Sequence, residues 1–194
     1  VKRDVVPGRI TALSFEPSNI TPPGQPIFGQ CAVFCGLAHA DMRMRVFVHS
    51  EADFLDWVEA QAAPSAVPTE GPAAAGWETF NAVCTACHQS TVLNEGVIET
   101  LGPYNTLEVD DLTVVSSLGP NLTHFGSRTT FAAASYANTV EHLSAWLANP
   151  SDLKPMDPDR NDMSAGLILG MPNFNLDDDE MAGLIALLNL WEGR

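Results

Sequence analysis

The residues best suited to chemistry are two thiols and an imidazole within five positions, Cys84-Thr85-Ala86-Cys87-His88. The thiols lie about one helical turn apart, so both can bond to the vinyl groups along one edge of a porphyrin. The histidine then reaches the iron from the same turn. A thioredoxin-like redox pair lacks the preceding strand, and a zinc site lacks a second ligand pair nearby. The motif therefore predicts a covalent c-type haem.

A second set of soft donors lies upstream, where Cys31, Cys35, His39 and Met42 fall within twelve residues. Thiolate, imidazole and thioether donors suit copper, and this set lacks the oxygens that hard cations prefer. The alternative is a disulfide between the two cysteines or a buried thiol pair. Two redox sites on one chain raise the question of whether they form one electron path.

The elements that position these groups change along the chain. Residues 1–50 are predicted to form strands and turns, with apolar residues alternating over 10–15 and again over 42–48. Ser50 is predicted to cap a short helix. Residues 60–75 are rich in Ala and Pro and almost uncharged, which predicts a semi-extended linker and the best domain boundary.

The second half of the chain has helical periodicity. A helix from Gly76 leads straight into the haem motif, and another is predicted over 139–149, closed by Pro150. Asp177 is predicted to open a last amphipathic helix that Gly193 ends. The segment between the first two helices is less regular.

The charge of the chain excludes one class of partner. The net charge is −15. Residues 1–63 carry five Lys/Arg and seven Asp/Glu, or −2, whereas residues 64–194 carry four and seventeen, or −13. Because a protein this acidic would repel the phosphate backbone, nucleic acid is not an expected partner. The second half would instead steer basic proteins, although a merely solvated acidic surface explains the same charge.

The pattern around the haem motif resembles a class I cytochrome c. It comprises Gly76 and Phe80, the later Gly119-Pro120-Asn121-Leu122, a Met-Pro pair and a closing helix. The resemblance implies that the first and last helices cross, with Gly76 and Phe80 near Leu187 or Trp191. It also implies that the Pro120 carbonyl accepts a hydrogen bond from His88, which fixes the histidine tautomer.

The same resemblance implies a methionine as the sixth iron ligand, which raises the reduction potential. Met171, in Gly170-Met171-Pro172, stands where the family places this ligand. Met163, Met156 and His124 are its rivals. Met181 lies on a helical apolar stripe and is expected in the core.

The upstream donor set, Cys-x-x-x-Cys-x-x-x-His-x-x-Met after Gly29-Gln30, closely resembles the binuclear CuA loop of cytochrome c oxidase subunit II. The resemblance implies that Cys31 and Cys35 bridge two copper ions. It makes His39 a terminal ligand to one copper and Met42 a weak ligand to the other. Val33 would lend its backbone carbonyl.

One departure from that family is serious. Its other histidine ligand lies on an earlier loop, and no histidine precedes His39 here. The expectation is therefore that the chain is a C-terminal part of a longer subunit, with His49 as the only nearby substitute ligand. No run of 18 apolar residues occurs, so attachment to a membrane would depend on a missing N-terminal part.

The two halves together resemble subunit II of caa-type haem-copper oxidases. The implied fold is two domains: a partial all-β cupredoxin-like domain at 1–59 and, after the 60–75 linker, an all-α class I cytochrome c at 76–194. Residues 119–128 look specifically like the cytochrome part of these fusions. In these fusions, Arg128 and Ser127 would hydrogen-bond a haem propionate. The alternative is that both are solvated loop residues. Residues 91–118 fit least well and are interpreted as a family-variable insertion.

The resemblance implies an electron-transfer subunit of a cytochrome c oxidase. An external donor such as a cytochrome c or a cytochrome bc complex would reduce haem c, and the electron would pass to CuA and on to catalytic subunit I. Oxygen is reduced and protons are pumped there, in a complex with other oxidase subunits, so no bond-making step is expected on this chain. The implied location is the extracytoplasmic face of the bacterial plasma membrane. The alternative is an electron carrier that feeds a nitrogen-oxide reductase or acts freely.

Overall fold

The N-terminal part is built around one hairpin. The computed structural model describes residues 1–6, 9–22, 24–103, 105–109, 112–116, 118–156 and 170–192. Strands β1 (Ile27–Gln30) and β2 (Arg43–Val46) pair antiparallel, with Gln30 opposite Arg43. The Cys31 N–H donates to the Met42 carbonyl at 2.9 Å, which closes the base of the loop between the strands. The hairpin therefore gathers residues 31–42 into one closed loop.

The predicted strand over 42–48 is confirmed by β2, but the one over 10–15 is wrong. Residues 9–22 contain no strand, and Leu13 and Phe15 are exposed. Alternation selects a face for a strand but does not supply a neighbour to pair with, and β2 pairs with β1. The cupredoxin-like assignment of this half therefore remains a prediction.

Helix α1 (Glu51–Ala62) begins where the sequence predicts, because the Ser50 hydroxyl accepts a hydrogen bond from the Asp53 N–H at 3.2 Å. The helix continues into the segment predicted as a linker, and a short strand β3 (Ser65–Ala66) follows it. Helix α2 (Gly71–Val83) then begins five residues before Gly76.

The semi-extended conformation predicted for 60–75 is therefore wrong at both ends of the segment, because 60–62 and 71–75 are helical. Ala60 is buried, and alanine is the best helix former, so the end of α1 has a reason to continue. Pro72 lies in the first turn of α2, where a missing N–H costs nothing.

Helices α2 and α5 (Asp178–Leu190) cross at their glycines. A methyl group on Gly76 would overlap the Gly183 carbonyl, so the two backbones touch. Beyond the crossing, the Phe80 and Trp191 rings meet edge to face with centroids 4.9 Å apart. The predicted crossing is confirmed, although the partner of Gly76 is Gly183.

The remaining helices also follow their predicted signals. Helix α3 (Val140–Ala148) is capped by Thr139, and α4 (Pro150–Leu153) starts at the proline expected to close it. The Asp177 carboxylate caps α5 while Glu180 reaches back to the Asp177 N–H, which completes a capping box. Gly193 lies outside the described residues.

The prediction of an all-α second half is wrong. Strands β4 (Ser90–Asn94) and β5 (Val97–Leu101) form an antiparallel hairpin, and β3 pairs parallel with β4. Further two-stranded pairs join β6 (Asn105–Val109) to β7 (Leu112–Ser116) and β8 (Thr130–Phe131) to β9 (Tyr136–Ala137). The first hairpin turns at Glu95 and Gly96, whose φ angles of 48° and 82° are both positive, as a two-residue type I′ turn requires. In the segment that fits the resemblance least well, the described residues thus lie mostly in two β-hairpins.

One hydrophobic core lies between α2, α3 and α5. Its buried members are Phe80, Val92, Leu122, Phe125, Phe131, Leu143, Leu147, Leu184, Leu187, Leu188 and Trp191. Met181 packs against this core, as predicted. Among the residues that the structure describes, no helix has the length and apolar character needed to cross a bilayer.

Candidate haem and metal sites

The haem motif lies directly after α2, in a single tight turn. Cys84 begins a short 3₁₀ helix, and its carbonyl accepts hydrogen bonds from the N–H groups of Cys87 at 3.1 Å and His88 at 2.9 Å. Both cysteines are free thiols. Burial raises the pKa of the Cys84 thiol to about 11, with a smaller contribution from Cys87. The turn therefore presents two thiols and an imidazole from one short stretch of backbone.

The imidazole of His88 is oriented by Pro120. The His88 Nδ1 lies 2.8 Å from the Pro120 carbonyl oxygen, which can only accept, so Nδ1 carries the proton and donates. Nε2 is then left with a free lone pair, as a metal ligand requires. Burial lowers the pKa of His88, the Arg128 charge acts in the same direction, and the hydrogen bond to Pro120 opposes both.

Gly119 allows this approach of the loop to the histidine. A methyl group at Gly119 would lie 2.6 Å from His88 Nδ1, closer than side-chain carbons come to ring atoms. The Gly119 N–H also donates to the Cys87 carbonyl at 2.7 Å. The loop that carries Pro120 is thus fastened to the haem motif itself.

A cavity of about 750 Å³ opens beside these groups. Cys84, Cys87 and His88 lie on its wall. Most of the remaining lining is apolar, including Phe80, Leu122, Phe131, Leu143, Leu184 and Leu188. A cavity of this size is typical of a cofactor site, and its apolar lining matches a flat macrocycle with few polar groups.

Met171 lies on the wall of this cavity, and Met156 lines it as well. The Met171 Sδ accepts a hydrogen bond from the Trp146 indole N–H at 3.2 Å. Met156 packs against Gly170, where an added methyl group would lie 2.8 Å from the Met156 Cγ. Two of the predicted thioethers therefore share this wall, and Met163 lies outside the described residues.

His124 does not line the cavity. Its side chain is buried, with Nε2 3.1 Å from the carbonyl oxygen of Gln61 at the end of α1. Its Nδ1 has no hydrogen-bond partner among the described residues. The structure thus gives His124 a contact with α1 in place of the contact with iron that a rival ligand would need.

Arg128 lines the cavity, whereas Ser127 does not. The Arg128 guanidinium donates to the Asn121 carbonyl and lies 5.6 Å above the Phe125 ring, and burial lowers its pKa. Ser127 is exposed and donates to the His124 carbonyl at 3.0 Å. Of these two residues, only Arg128 is placed to meet an acidic group of a molecule in the cavity.

The upstream donors converge in the loop between β1 and β2. The Cys35 Sγ lies 3.5 Å from the Cys31 Sγ, 3.6 Å from the His39 Nδ1 and 3.6 Å from the Met42 Sδ. The two cysteines are free, so the predicted alternative of a disulfide is not formed. Ligand atoms of both cysteines and His39 all lie within 4.8 Å of one another. Donors this close can share a common ion.

The other atoms of this cluster are consistent with the same use. The Cys31 thiol donates to the Val33 carbonyl at 3.3 Å, so that carbonyl faces the sulfurs. A hydrogen bond between the Cys35 thiol and the Cys31 sulfur raises the pKa of Cys35, and the charge of Lys154 acts against it. His49 is exposed at the end of the strand and is not part of the cluster.

Comparison with known proteins bears on both sites. A protein-family model described as cytochrome c matches residues 73–191. This chain belongs to the cytochrome c family. The match contains the whole haem motif, Pro120, Arg128 and Met171.

Relatives of this cytochrome c extend the likeness upstream. Cytochrome c oxidase subunit 2 of Alkalihalophilus pseudofirmus is 30% identical over 190 residues, 96% of this chain and 44% of that protein. The subunit 2 of Bacillus sp. (strain PS3) is 31% identical over 133 residues, 68% of this chain and 33% of its own length. That of Bacillus subtilis (strain 168) is 29% identical over 145 residues, 74% of this chain and 36% of that protein.

These relatives confirm the resemblance to cytochrome c oxidase subunit II. The match to the Alkalihalophilus protein spans both halves, so the likeness is not confined to the haem domain. The chain covers less than half the length of each of these relatives.

Membership in the cytochrome c family implies haem c, and the residues present fit that group. The fit rests on the apolar cavity, the paired thiols and the oriented imidazole of His88. The sequence analysis did not foresee the hydrogen bond from Trp146 to Met171. Nor did it foresee that Lys154 and the alanines at 132–134 line the cavity, because these positions depend on contacts far apart in the chain.

Proposed function

We propose that this chain is the electron-transfer part of subunit II of a haem-copper terminal oxidase. It receives electrons from an external donor at haem c, and passes them through binuclear CuA to the catalytic subunit. The observation that carries the proposal is the presence of two donor sets on one chain, a haem cavity with Cys84, Cys87 and His88 and a thiol cluster in the 31–42 loop. The similarity to subunit 2 proteins over 96% of the chain supports it.

At the haem cavity, residues of this chain would hold the haem, orient its histidine ligand and neutralise its acidic group. Cys84 and Cys87 would hold the porphyrin covalently, and Nε2 of His88 would bind the iron, with its orientation fixed by Pro120. Met171, which lines the same cavity, would be the second protein ligand of the iron. Arg128 would neutralise a propionate. A haem held by these residues would supply one-electron chemistry without binding substrate.

At the upstream cluster, Cys31 and Cys35 would be the thiolate ligands of the copper pair. His39 and Met42 would complete the ligand set from this chain, together with the Val33 carbonyl. The soft donor atoms of Cys31, His39 and Met42 lie 3.5–3.6 Å from the Cys35 sulfur, and such donors suit copper. The backbone hydrogen bond between Cys31 and Met42 keeps the two ends of this loop together. The remaining ligand would come from outside these residues. The cupredoxin-like domain at 1–59 and the boundary between the halves are proposed on the same grounds.

The proposed setting follows from this role. The catalytic subunit I, the other oxidase subunits and a donor such as a cytochrome c or a cytochrome bc complex are the proposed partners. The proposed location is the extracytoplasmic face of a bacterial plasma membrane, and oxygen reduction and proton pumping would take place elsewhere in the complex. A net charge of −13 on residues 64–194 supports a basic donor.

Cofactor content tests this proposal. The complete protein should carry one haem bound covalently and two copper ions, with the near-infrared band of mixed-valence CuA. Cys31→Ser should remove the copper and the near-infrared band but leave the haem, and Cys84→Ser should weaken haem attachment but leave the copper. Thr85→Ser, a change inside the haem motif that keeps every donor, is the matched control and should alter neither. A protein with covalent haem but no copper would contradict the oxidase role and leave a simple cytochrome c.

A further inference from the structure

The 31–42 loop, here called the copper loop, makes hydrogen bonds with a segment of the haem domain. This segment, residues 132–135 between β8 and β9, is here called the alanine loop. The Arg43 N–H donates to the Ala133 carbonyl at 3.0 Å, and the Ser135 hydroxyl donates to the Asp41 carbonyl at 2.8 Å. The two hydrogen bonds therefore hold the end of the copper loop at Asp41 and Arg43, the residues on either side of Met42.

The alanine loop is at the same time a wall of the haem cavity. Ala132, Ala133 and Ala134 line the cavity that holds Cys87 and His88. Ala38 lines it too, and this residue belongs to the copper loop and immediately precedes His39. Residues of both loops therefore line the wall of the haem cavity.

The backbone of the alanine loop is unusual. Ala132, Ala133 and Ala134 have φ angles of 50°, 59° and 58°, a left-handed conformation that residues other than glycine rarely adopt. For alanine this conformation is unfavourable, and it persists only when the surroundings enforce it. Here the carbonyls are held from both sides, because Ala133 accepts from Arg43 and Ala132 accepts from the Lys154 ammonium at 3.4 Å.

Lys154 fastens the alanine loop from the haem side. It is half-buried, lines the haem cavity and donates to the Ala132 carbonyl. The contact between the loops therefore combines two hydrogen bonds with a backbone that Lys154 helps to hold in place.

We propose that the alanine loop is an intramolecular docking surface that holds the copper loop against the haem cavity, so that haem c delivers its electron to copper on the same chain. The inference rests on the proposed function and adds the surface through which it operates. In this docked arrangement haem c would be the one-electron donor and the copper pair the acceptor, so that one electron would be lost by the first and gained by the second. Ser135 and Lys154 act as positioning residues in this docking.

Hydrogen exchange at the Arg43 amide tests the docking without depending on activity. In Ser135→Ala one neutral hydrogen bond worth about 1 kcal/mol is lost, so Arg43 exchange should accelerate about fivefold. Ser144→Ala removes a hydroxyl whose hydrogen bond stays within α3, and it should leave Arg43 exchange unchanged. Ser135→Thr keeps the hydroxyl and should restore protection.

A second variant addresses the backbone. Ala133→Val places a β-branched residue at a positive φ angle, so it should accelerate Arg43 exchange more than Ser135→Ala does. Flash reduction of the complete protein should also show slower electron transfer from haem to copper in both variants, with unchanged haem and copper spectra.

The outcomes separate the two proposals. Arg43 exchange and transfer rates equal to wild type in both Ser135→Ala and Ala133→Val, with copper bound, would overturn the docking surface. Absence of the copper band with the expected changes in Arg43 exchange would overturn the oxidase role and leave the docking surface standing.

Discussion

The crossing of α2 and α5 offers the sharpest test of the fold that carries the haem motif. Replacing Gly76 with alanine adds one methyl group where the two backbones touch. That methyl group would overlap the oxygen and carbon of the Gly183 carbonyl and lie 2.8 Å from the Leu184 nitrogen. All three neighbours are backbone atoms, so none can rotate away. The helices would have to separate, and Phe80 and Trp191 would lose their contact.

Two effects of opposite sign decide the magnitude. Alanine is favoured over glycine inside a helix by about 1 kcal/mol, whereas overpacking a tight contact costs typically about 1–3 kcal/mol, and more when backbone must move. Because the added methyl group meets only backbone atoms, the cost lies at the upper end of that range, and we expect Gly76→Ala to lower the free energy of unfolding by about 2 kcal/mol net. Gly183→Ala should cost less, because the closest atoms to its added methyl group are 2.8–3.1 Å away.

Chemical denaturation of the haem-loaded protein measures both changes, with the slope against denaturant checked for constancy. The exposed Ala75→Gly in α2 is the control, and it should cost about 0.5–1 kcal/mol through helix propensity alone. A Gly76→Ala protein as stable as wild type, or more stable, would show that propensity outweighs the contact and would refute the close crossing.

Two further predictions concern the haem cavity. Trp146→Phe removes the N–H that donates to the Met171 sulfur and so makes that sulfur a stronger donor to Fe(III), which should lower the haem midpoint potential by up to about 40 mV. The control is Trp57→Phe, at a half-exposed tryptophan, which should leave the potential unchanged. A potentiometric titration in which both variants match wild type would contradict the contact between Trp146 and Met171. Before haem attachment, the folded chain should show Cys84 alkylation about a hundredfold slower at pH 8 than that of a thiol with the ordinary pKa of 9.0, because the raised pKa of about 11 depletes the thiolate. The difference should vanish as the pH rises past 11, and an ordinary rate at pH 8 would mean that the thiol is not buried.

The parts of the structure that the sequence predicts well are those with local causes. Ser50, Thr139 and Asp177 cap helices through bonds to residues three positions on, so their pattern is readable within one turn. The haem motif is equally local, because Cys84 and His88 lie in one hydrogen-bonded turn.

The failures have longer-range causes. Residues 10–15 alternate but form no strand, since pairing depends on a neighbour that alternation does not specify. The hairpin of β4 and β5 turns at Glu95-Gly96, a weaker signal than Asn-Gly, and it lay within a segment interpreted as an insertion. The contact of Ser135 with Asp41 joins residues 94 positions apart, and three alanines carry no chemical signal of docking.

The central claim is that haem c and copper form one electron path on this chain. Flash photoreduction of the complete protein measures this directly, with an injected electron followed at the haem Soret band and the near-infrared copper band. The account predicts that the haem is reduced first and is then reoxidised in one phase while the copper band disappears at the same rate, whatever the protein concentration. A haem that stays reduced beside oxidised copper, or a transfer rate that rises with protein concentration, would contradict it.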